Sequence, residues 1–215
     1  MFLEYGQTIS YTKNVDLVSE RIYMAVFLLV YFGIIIGLRS LLLYRQVKIN
    51  PIEGFGTKSK IGRVERTIQV LLFLMLIIGL NFIFIKSNYK YFIPIKFLEI
   101  SWLQTLGFII SMFGLLVSFI AQLQMRNSWR ISIDEKSPVQ LVTDGFFLYS
   151  RNPVYLGLSI GFIGFFLIAP NAGSFIFLFF MFIALNKKII DEENFLEKES
   201  PENYLQYKRK VRKWL

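Results

Sequence analysis

Five apolar stretches, at 22–43, 68–85, 102–123, 154–169 and 172–185, divide the chain into a repeating pattern of greasy segment and charged connector. Arg39 is the only charged residue inside any of them. The first three are 18 to 22 residues long, which matches the roughly 20 residues an α-helix needs to cross a bilayer. The last two are shorter and only Pro170-Asn171 lies between them. Pro-Asn is a turn signal, so this pair predicts a tight helical hairpin. The fifth helix is expected to continue past the membrane through 186–196, a run without Gly or Pro, until Ser200-Pro201 stops it. The pattern predicts an all-α integral membrane domain over 1–215 with five transmembrane helices.

The connectors predict its orientation, because Lys and Arg concentrate on the cytoplasmic side. Six lie in 44–67, four in 124–152 and eight in the tail from Lys187. The N-terminal segment through Arg21 has two, 86–98 has three and the Pro170-Asn171 turn has none. Five spans place 18 of these charges inside and five outside, with the N-terminus outside and the C-terminus cytoplasmic. The N-terminus lacks a basic segment followed by an apolar core, so no cleaved signal peptide is expected.

Composition sharpens the class. Hydrophobic residues make up 54%, Phe alone occupies 23 positions, and mean hydropathy is +0.50; these values are those of a membrane protein. The net charge of +9 points to anionic lipid rather than nucleic acid, since the basic residues sit beside apolar segments. With no Cys and no His, thiol catalysis, iron–sulfur clusters, Ser-His-Asp chemistry and His-ligated metal are excluded, and no metal site is expected. Proton transfer is left to carboxylates, Tyr, Lys, water or substrate.

The most informative chemistry lies in 141–155, LVTDGFFLYSRNPVY, and in Glu192-Glu193. The first precedes the apolar hairpin and the second follows it, so closure of the hairpin would bring Arg151 to the two carboxylates. Thr143-Asp144-Gly145 reads as a turn. Asn152-Pro153 reads as a helix start, with Asn as N-cap and Pro in the first position. A helix N-terminus beside Arg151 suits a carboxylate. Adjacent glutamates diverge by about 100° on a helix, so one is expected to face the site and the other solvent. A cation and an anion side by side suit a zwitterion, such as the amino-acid end of a cofactor. Each feature alone also has a plain structural reading: a membrane anchor, a helix cap, a solvated face.

Together they resemble a known family. LVTDGFFLYSRNPVYLG, two apolar spans, Glu192-Glu193-Asn194-Phe195-Leu196, then Tyr204-Leu205-Gln206-Tyr207 and a basic tail are similar to the signature of the isoprenylcysteine carboxyl methyltransferases and their phospholipid N-methyltransferase relatives. The resemblance covers 127–213, including Asn127-Ser128-Trp129. It implies an S-adenosylmethionine-dependent methyltransferase, with the cofactor site at the cytoplasmic face of the hairpin. It assigns Val139, Gln140, Leu141, Val142 and Phe147 to the lining of the cofactor site. Asn152, Pro153, Val154 and Tyr155 become the cofactor-binding tetrapeptide, and Glu192 with Glu193 the carboxylates that hold the cofactor's amino group. Arg151, Asn152, Tyr155 and Glu192 form the implied catalytic set. Lys188, one turn before Glu192, takes the place of a substrate-contacting arginine. Three positions depart from the signature: Asn152 for His, Phe147 for Tyr, and Lys188 for Arg, which replaces a planar fork with a point charge.

The implied reaction moves a methyl group to a lipophilic small-molecule or lipidated acceptor, at either a carboxylate oxygen or an amine nitrogen. Positioning and a desolvated site suffice for such a displacement. Phe162, Phe165, Phe166, Phe175, Phe177, Phe179 and Phe180 are candidates for a lateral route from membrane lipid, and Arg39 for an intramembrane functional charge. The rival readings are a sterol-reductase-like oxidoreductase using a nicotinamide cofactor and a non-catalytic membrane module. The charge bias fits a bacterial plasma membrane or the endoplasmic reticulum, and the small size and lack of an obvious retention signal favour a prokaryotic inner (plasma) membrane.

Overall fold

The computed structural model describes residues 18–38, 40–41, 62–125 and 141–215. Six helices of ten or more residues organise them: α1 (Val18–Leu38), α2 (Arg63–Phe84), α3 (Ser101–Gln124), α4 (Pro153–Ile168), α5 (Ala172–Glu199) and α6 (Pro201–Lys210). The second half of α1, Leu29–Leu38, has the wider winding of a π-helix. Among the described residues α1, α2, α3 and α5 are long and apolar enough to cross a membrane. They are the helices of a multi-pass integral membrane protein. Arg39, with 42–43 at the end of the first apolar stretch, lies outside the described residues.

The fourth apolar stretch differs from the other four. Pro153 and Pro170 bracket α4, which has 16 residues. At 1.5 Å per residue it is about 24 Å long, short of a hydrocarbon core of about 30 Å. Helix α5 runs on to Glu199 as its uninterrupted helix-forming sequence predicts, and Ser200-Pro201 separates it from α6.

Helix α4 packs mainly on α3, through a seam of small residues absent from the sequence expectations. Gly107, Ser111, Gly114 and Ser118 of α3 face Gly157, Gly161 and Gly164 of α4. A Cβ at Gly114 would lie 2.4 Å from the Gly161 backbone nitrogen, and one at Gly164 2.4 Å from the Gly107 carbonyl oxygen. The backbones are therefore in contact, the packing that small-residue spacing permits where lipid supplies no hydrophobic drive between helices.

On its other side α4 contributes Phe162 and Phe165 to an aromatic core with Phe27 of α1 and Phe177 of α5. Ring centroids are 5.3 Å apart for Phe162–Phe177, 5.5 Å for Phe165–Phe177 and 5.4 Å for Phe27–Phe165, within the range of favourable tilted and edge-to-face pairs. Phe162, Phe165 and Phe177 are buried core residues and line no lateral route. Phe175, Phe179 and Phe180 do face outward.

The α4–α5 turn is closed by hydrogen bonds. Asn171 caps α5: its Oδ1 accepts from the Ser174 N–H at 2.8 Å, and the Ser174 hydroxyl accepts from the Asn171 N–H at 3.2 Å. The reciprocal arrangement is a capping box. The segment before α3 seals the turn, with Ile95 N–H donating to Pro170 O at 2.9 Å and Ala172 N–H to Ile93 O at 3.0 Å. Gln104 of α3 donates to Ile168 O at 3.0 Å.

Candidate functional site

At the opposite end of the bundle, the start of α4 meets the last turns of α5. Gly145 provides the entry. Its φ is +61°, the left-handed region that favours glycine, and a Cβ there would lie 2.5 Å from the end of the Gln124 side chain, which would have to shift. Gln124 in turn accepts a hydrogen bond from the Phe146 N–H at 2.8 Å. The turn expected at Thr143-Asp144-Gly145 thus leads into the 3-10 turn Gly145–Leu148, and Phe147 is buried.

Arg151, Asn152 and Glu193 form one cluster. The Arg151 guanidinium donates through Nε to Glu193 Oε1 at 3.1 Å and through Nη2 to Oε2 at 3.3 Å, a bidentate pair. Its Nη1 donates to the carbonyls of Val211 at 2.7 Å and Lys208 at 3.3 Å. Its own N–H donates to Arg212 O at 2.9 Å. Asn152 Nδ2 donates to Glu193 Oε1 at 2.9 Å and to Lys213 O at 3.2 Å. Arg151 and Glu193 therefore clamp the end of α6 and the chain beyond it. Both side chains are nearly closed off, at 11% and 12% exposure. The expectation that one glutamate would face solvent is corrected: Glu193 is enclosed because the returning tail covers it.

Asn152 precedes Pro153 as expected, yet its side chain does not cap α4. The amide turns to Glu193 and the tail instead. The first N–H groups of α4 are thus left without a side-chain cap.

Glu192 belongs to a second cluster. Tyr155, in the first turn of α4, donates its hydroxyl to Glu192 Oε1 at 2.6 Å. Lys188 Nζ lies 3.6 Å from the same oxygen, as one helical turn of separation predicts. Lys188 also reaches Glu65 Oε1 at 2.6 Å. Glu65 sits in the first turn of α2, 123 residues away from Lys188, and no motif or spacing marked it. Lys188 is 3% exposed, whereas Glu65 and Glu192 are 22% and 29% exposed. An arriving ligand meets carboxylates first, with the lysine behind them.

The remaining predicted residues divide. Leu141 packs on Tyr204, Tyr207 and Val211. Tyr207 donates to Phe147 O at 2.7 Å, and burial pushes its phenol up to about 12. Burial likewise raises Tyr204, whose hydroxyl has no partner among the described residues. Val142 and Val154 are half-buried, and Pro153 opens α4 in the first helical position. Val139, Gln140 and Asn127-Ser128-Trp129 lie outside the described residues. A groove of about 600 Å³ runs along α5 past Phe175, Phe179 and Phe182. Phe179 and Lys188 are nine positions apart on the helix, half a turn out of phase, so this groove lies on the face away from Glu192. Among the described residues no group of three or more Asp or Glu side chains is arranged to hold a metal.

A family model described as "Protein of unknown function (DUF1295)" matches residues 16–211. A comparison with curated proteins gives no match. The family match takes in all six helices and both clusters, and on that extent the chain belongs to the DUF1295 family.

Proposed function

We propose that the protein is an integral membrane methyltransferase that uses S-adenosylmethionine to methylate a lipophilic acceptor. The observation that carries the reading is the pairing of an accessible carboxylate, Glu192, with the uncapped N-terminus of α4. Glu192 offers a partner for an ammonium, and the first N–H groups of α4 offer one for a carboxylate. A zwitterionic amino-acid group needs both. Arg151 does not serve as the carboxylate partner in this reading, because Glu193 and two tail carbonyls occupy its guanidinium. When bound, S-adenosylmethionine supplies an electrophilic methyl group. The chain's own part is to hold the reactants and keep water out, which suits a protein without His or Cys.

We further propose that α4 is the fourth of five spans, with the N-terminus outside, the C-terminus cytoplasmic and both clusters at the inner surface of a prokaryotic inner membrane. The short α4 rests against α3 through the glycine seam and so does not need the full bilayer depth to itself. The basic residues of α6 and the tail support this orientation.

The test is calorimetric titration of the detergent-purified protein with S-adenosylhomocysteine, beside Glu192→Ala. Binding in the wild type and its loss in a folded Glu192→Ala variant are expected. A folded wild-type protein that takes up no S-adenosylhomocysteine would overturn the proposal, and binding of a reduced nicotinamide dinucleotide in its place would favour an oxidoreductase.

A further inference from the structure

We infer that the groove along the outward face of α5 is a binding site for an anionic phospholipid, with an acyl chain laid over Phe175, Phe179 and Phe182 and the phosphate held by Lys213. The inference is independent of the chemistry assigned to Glu192, because the groove lies on the other face of α5.

The groove follows one stripe of the helix. Phe175, Phe179, Phe182, Ile183, Asn186 and Ile190 line it, and residues recurring every three or four positions share a face. From Phe175 to Ile190 the stripe runs about 22 Å at 1.5 Å per residue. That exceeds one leaflet, half of a hydrocarbon core of about 30 Å. Phe175, Phe179, Phe182 and Ile183 remain between 40% and 55% exposed, and a bilayer supplies hydrocarbon chains to cover such a face.

The charged end sets this groove apart from the rest of the apolar surface. The Trp214 ring lies 6.3 Å from that of Phe182. Lys213 Nζ lies 3.3 Å from Asn186 Oδ1 and 5.9 Å from the centre of the Trp214 ring. Trp and Lys together are the residues that anchor a protein at a membrane–water interface. The backbone of Lys213 is pinned from the other side. Ser150 Oγ and Asn152 Nδ2 donate to its carbonyl at 3.4 Å and 3.2 Å, and the Arg151 N–H donates to Arg212 O at 2.9 Å. The ammonium is thus placed before a ligand arrives, which lowers the entropy lost on binding. No carboxylate among the described residues pairs with Lys213. An ammonium has three N–H donors; Asn186 accepts one, and two remain for phosphate oxygens. Lys187 also lines the groove, but Asp191 already holds it at 3.0 Å. Lys213 is therefore the cation left for a phosphate. A choline head would bring a second cation to this basic end, so an anionic head is favoured over a zwitterionic one.

The experiment is native mass spectrometry of the full-length, detergent-purified protein given equal amounts of phosphatidylglycerol and phosphatidylcholine with identical acyl chains. Wild type is expected to retain phosphatidylglycerol about fivefold more, the worth of one lysine near an anionic surface. Lys213→Gln should lose that preference. Lys198→Gln removes the same charge from an exposed residue of α5 that does not line the groove, and should keep it. Phe179→Asn should weaken retention of both lipids, and excess glycerol phosphate, which has the head without the chain, should displace neither. Equal retention of the two lipids by wild type overturns the inference. So does an equal loss of preference in Lys198→Gln, which would mean general attraction to a basic protein. Unaltered retention in Phe179→Asn, displacement by glycerol phosphate, or a lipid-free dimer each overturns it as well. If Lys213→Gln does not fold, the wild-type preference and Phe179→Asn still decide. S-adenosylhomocysteine titration is a separate measurement, so failure here leaves the methyltransferase reading standing, and the reverse holds too.

Discussion

The two ends of the α4–α5 pair solve the same problem by different means. At the turn end, buried polar groups are satisfied by neutral hydrogen bonds: the Asn171–Ser174 capping box, the Ile93 and Ile95 backbone, and the Gln104 amide. Asn171 and Ser174 are fully buried there. At the site end, charges do the work: Arg151 with Glu193, and Lys188 with Glu65 and Glu192. Neutral groups close an end without attracting ions. Charged groups can close it too, but any left over recruit a partner. The site end divides again at adjacent residues, with Glu193 matched by a guanidinium and sealed by the tail, and Glu192 only partly matched and still accessible. The lesson is that chemistry is expected where the charge account does not close.

The largest effect should come from breaking the sealed pair. Arg151→Ala leaves Glu193 buried without its cation and releases the tail carbonyls, at an expected cost of about 3–5 kcal/mol in unfolding free energy. Arg151→Lys should recover little, because a point charge cannot form the bidentate pair and reach the Val211 carbonyl together. Denaturant or thermal unfolding in detergent checks both. A loss below about 1 kcal/mol for Arg151→Ala, the size of a surface pair, would mean the clamp is not structural.

The neighbouring glutamates sharpen the contrast. Glu193→Ala should lower stability by about 2–3 kcal/mol, as expected when a charged group loses its hydrogen-bond partner. Glu192→Ala should cost less stability and abolish S-adenosylhomocysteine binding. Measured side by side, an exchange of these two phenotypes would reverse the assignment of the two clusters.

At the turn end, Asn171→Ala removes the cap and one half of the capping box, for about 1–2 kcal/mol. It should leave S-adenosylhomocysteine affinity unaltered. A change in affinity at this distance would show that the two ends are coupled through α5.

The smallest effect concerns Tyr207, which ties α6 to Phe147. Its folded-state value of about 12 lies above the ordinary tyrosine value of 10. The neutral phenol is favoured in the folded state, so this stabilisation is complete below pH 10 and is lost as pH rises towards 12. Tyr207→Phe should cost about 1 kcal/mol near neutrality and show a shallower decline of stability in that alkaline window. Parallel unfolding curves for the two proteins across the window would contradict the buried hydrogen bond.

Much of the architecture was legible in the chain. Hydrophobic run length predicted α1, α2 and α3 as helices able to cross a membrane, the run without Gly or Pro beyond 185 predicted the length of α5, and Pro153, Pro170 and Pro201 marked breaks between helices, because a ring without an N–H limits where a helix can continue. The juxtaposition of Arg151 with the Glu192-Glu193 pair was also legible, since it requires only that the segment between them fold back. The glycine seam was present as Gly107, Gly114, Gly157, Gly161 and Gly164, but spacing within one helix does not name the helix it will face.

What could be read along the chain is local: where apolar runs start and stop, which residues can cap or break a helix, and that the chain brings no thiol or imidazole of its own. The fate of each charge depended on how the helices pack. That packing gave Arg151 to Glu193 and the tail, turned Asn152 from helix cap to clamp, and brought Glu65 across 123 residues to hold Lys188. The physical reason is range. Helix formation is governed by neighbours within about four positions, whereas an ion pair depends on distances and burial that exist only once the helices have packed.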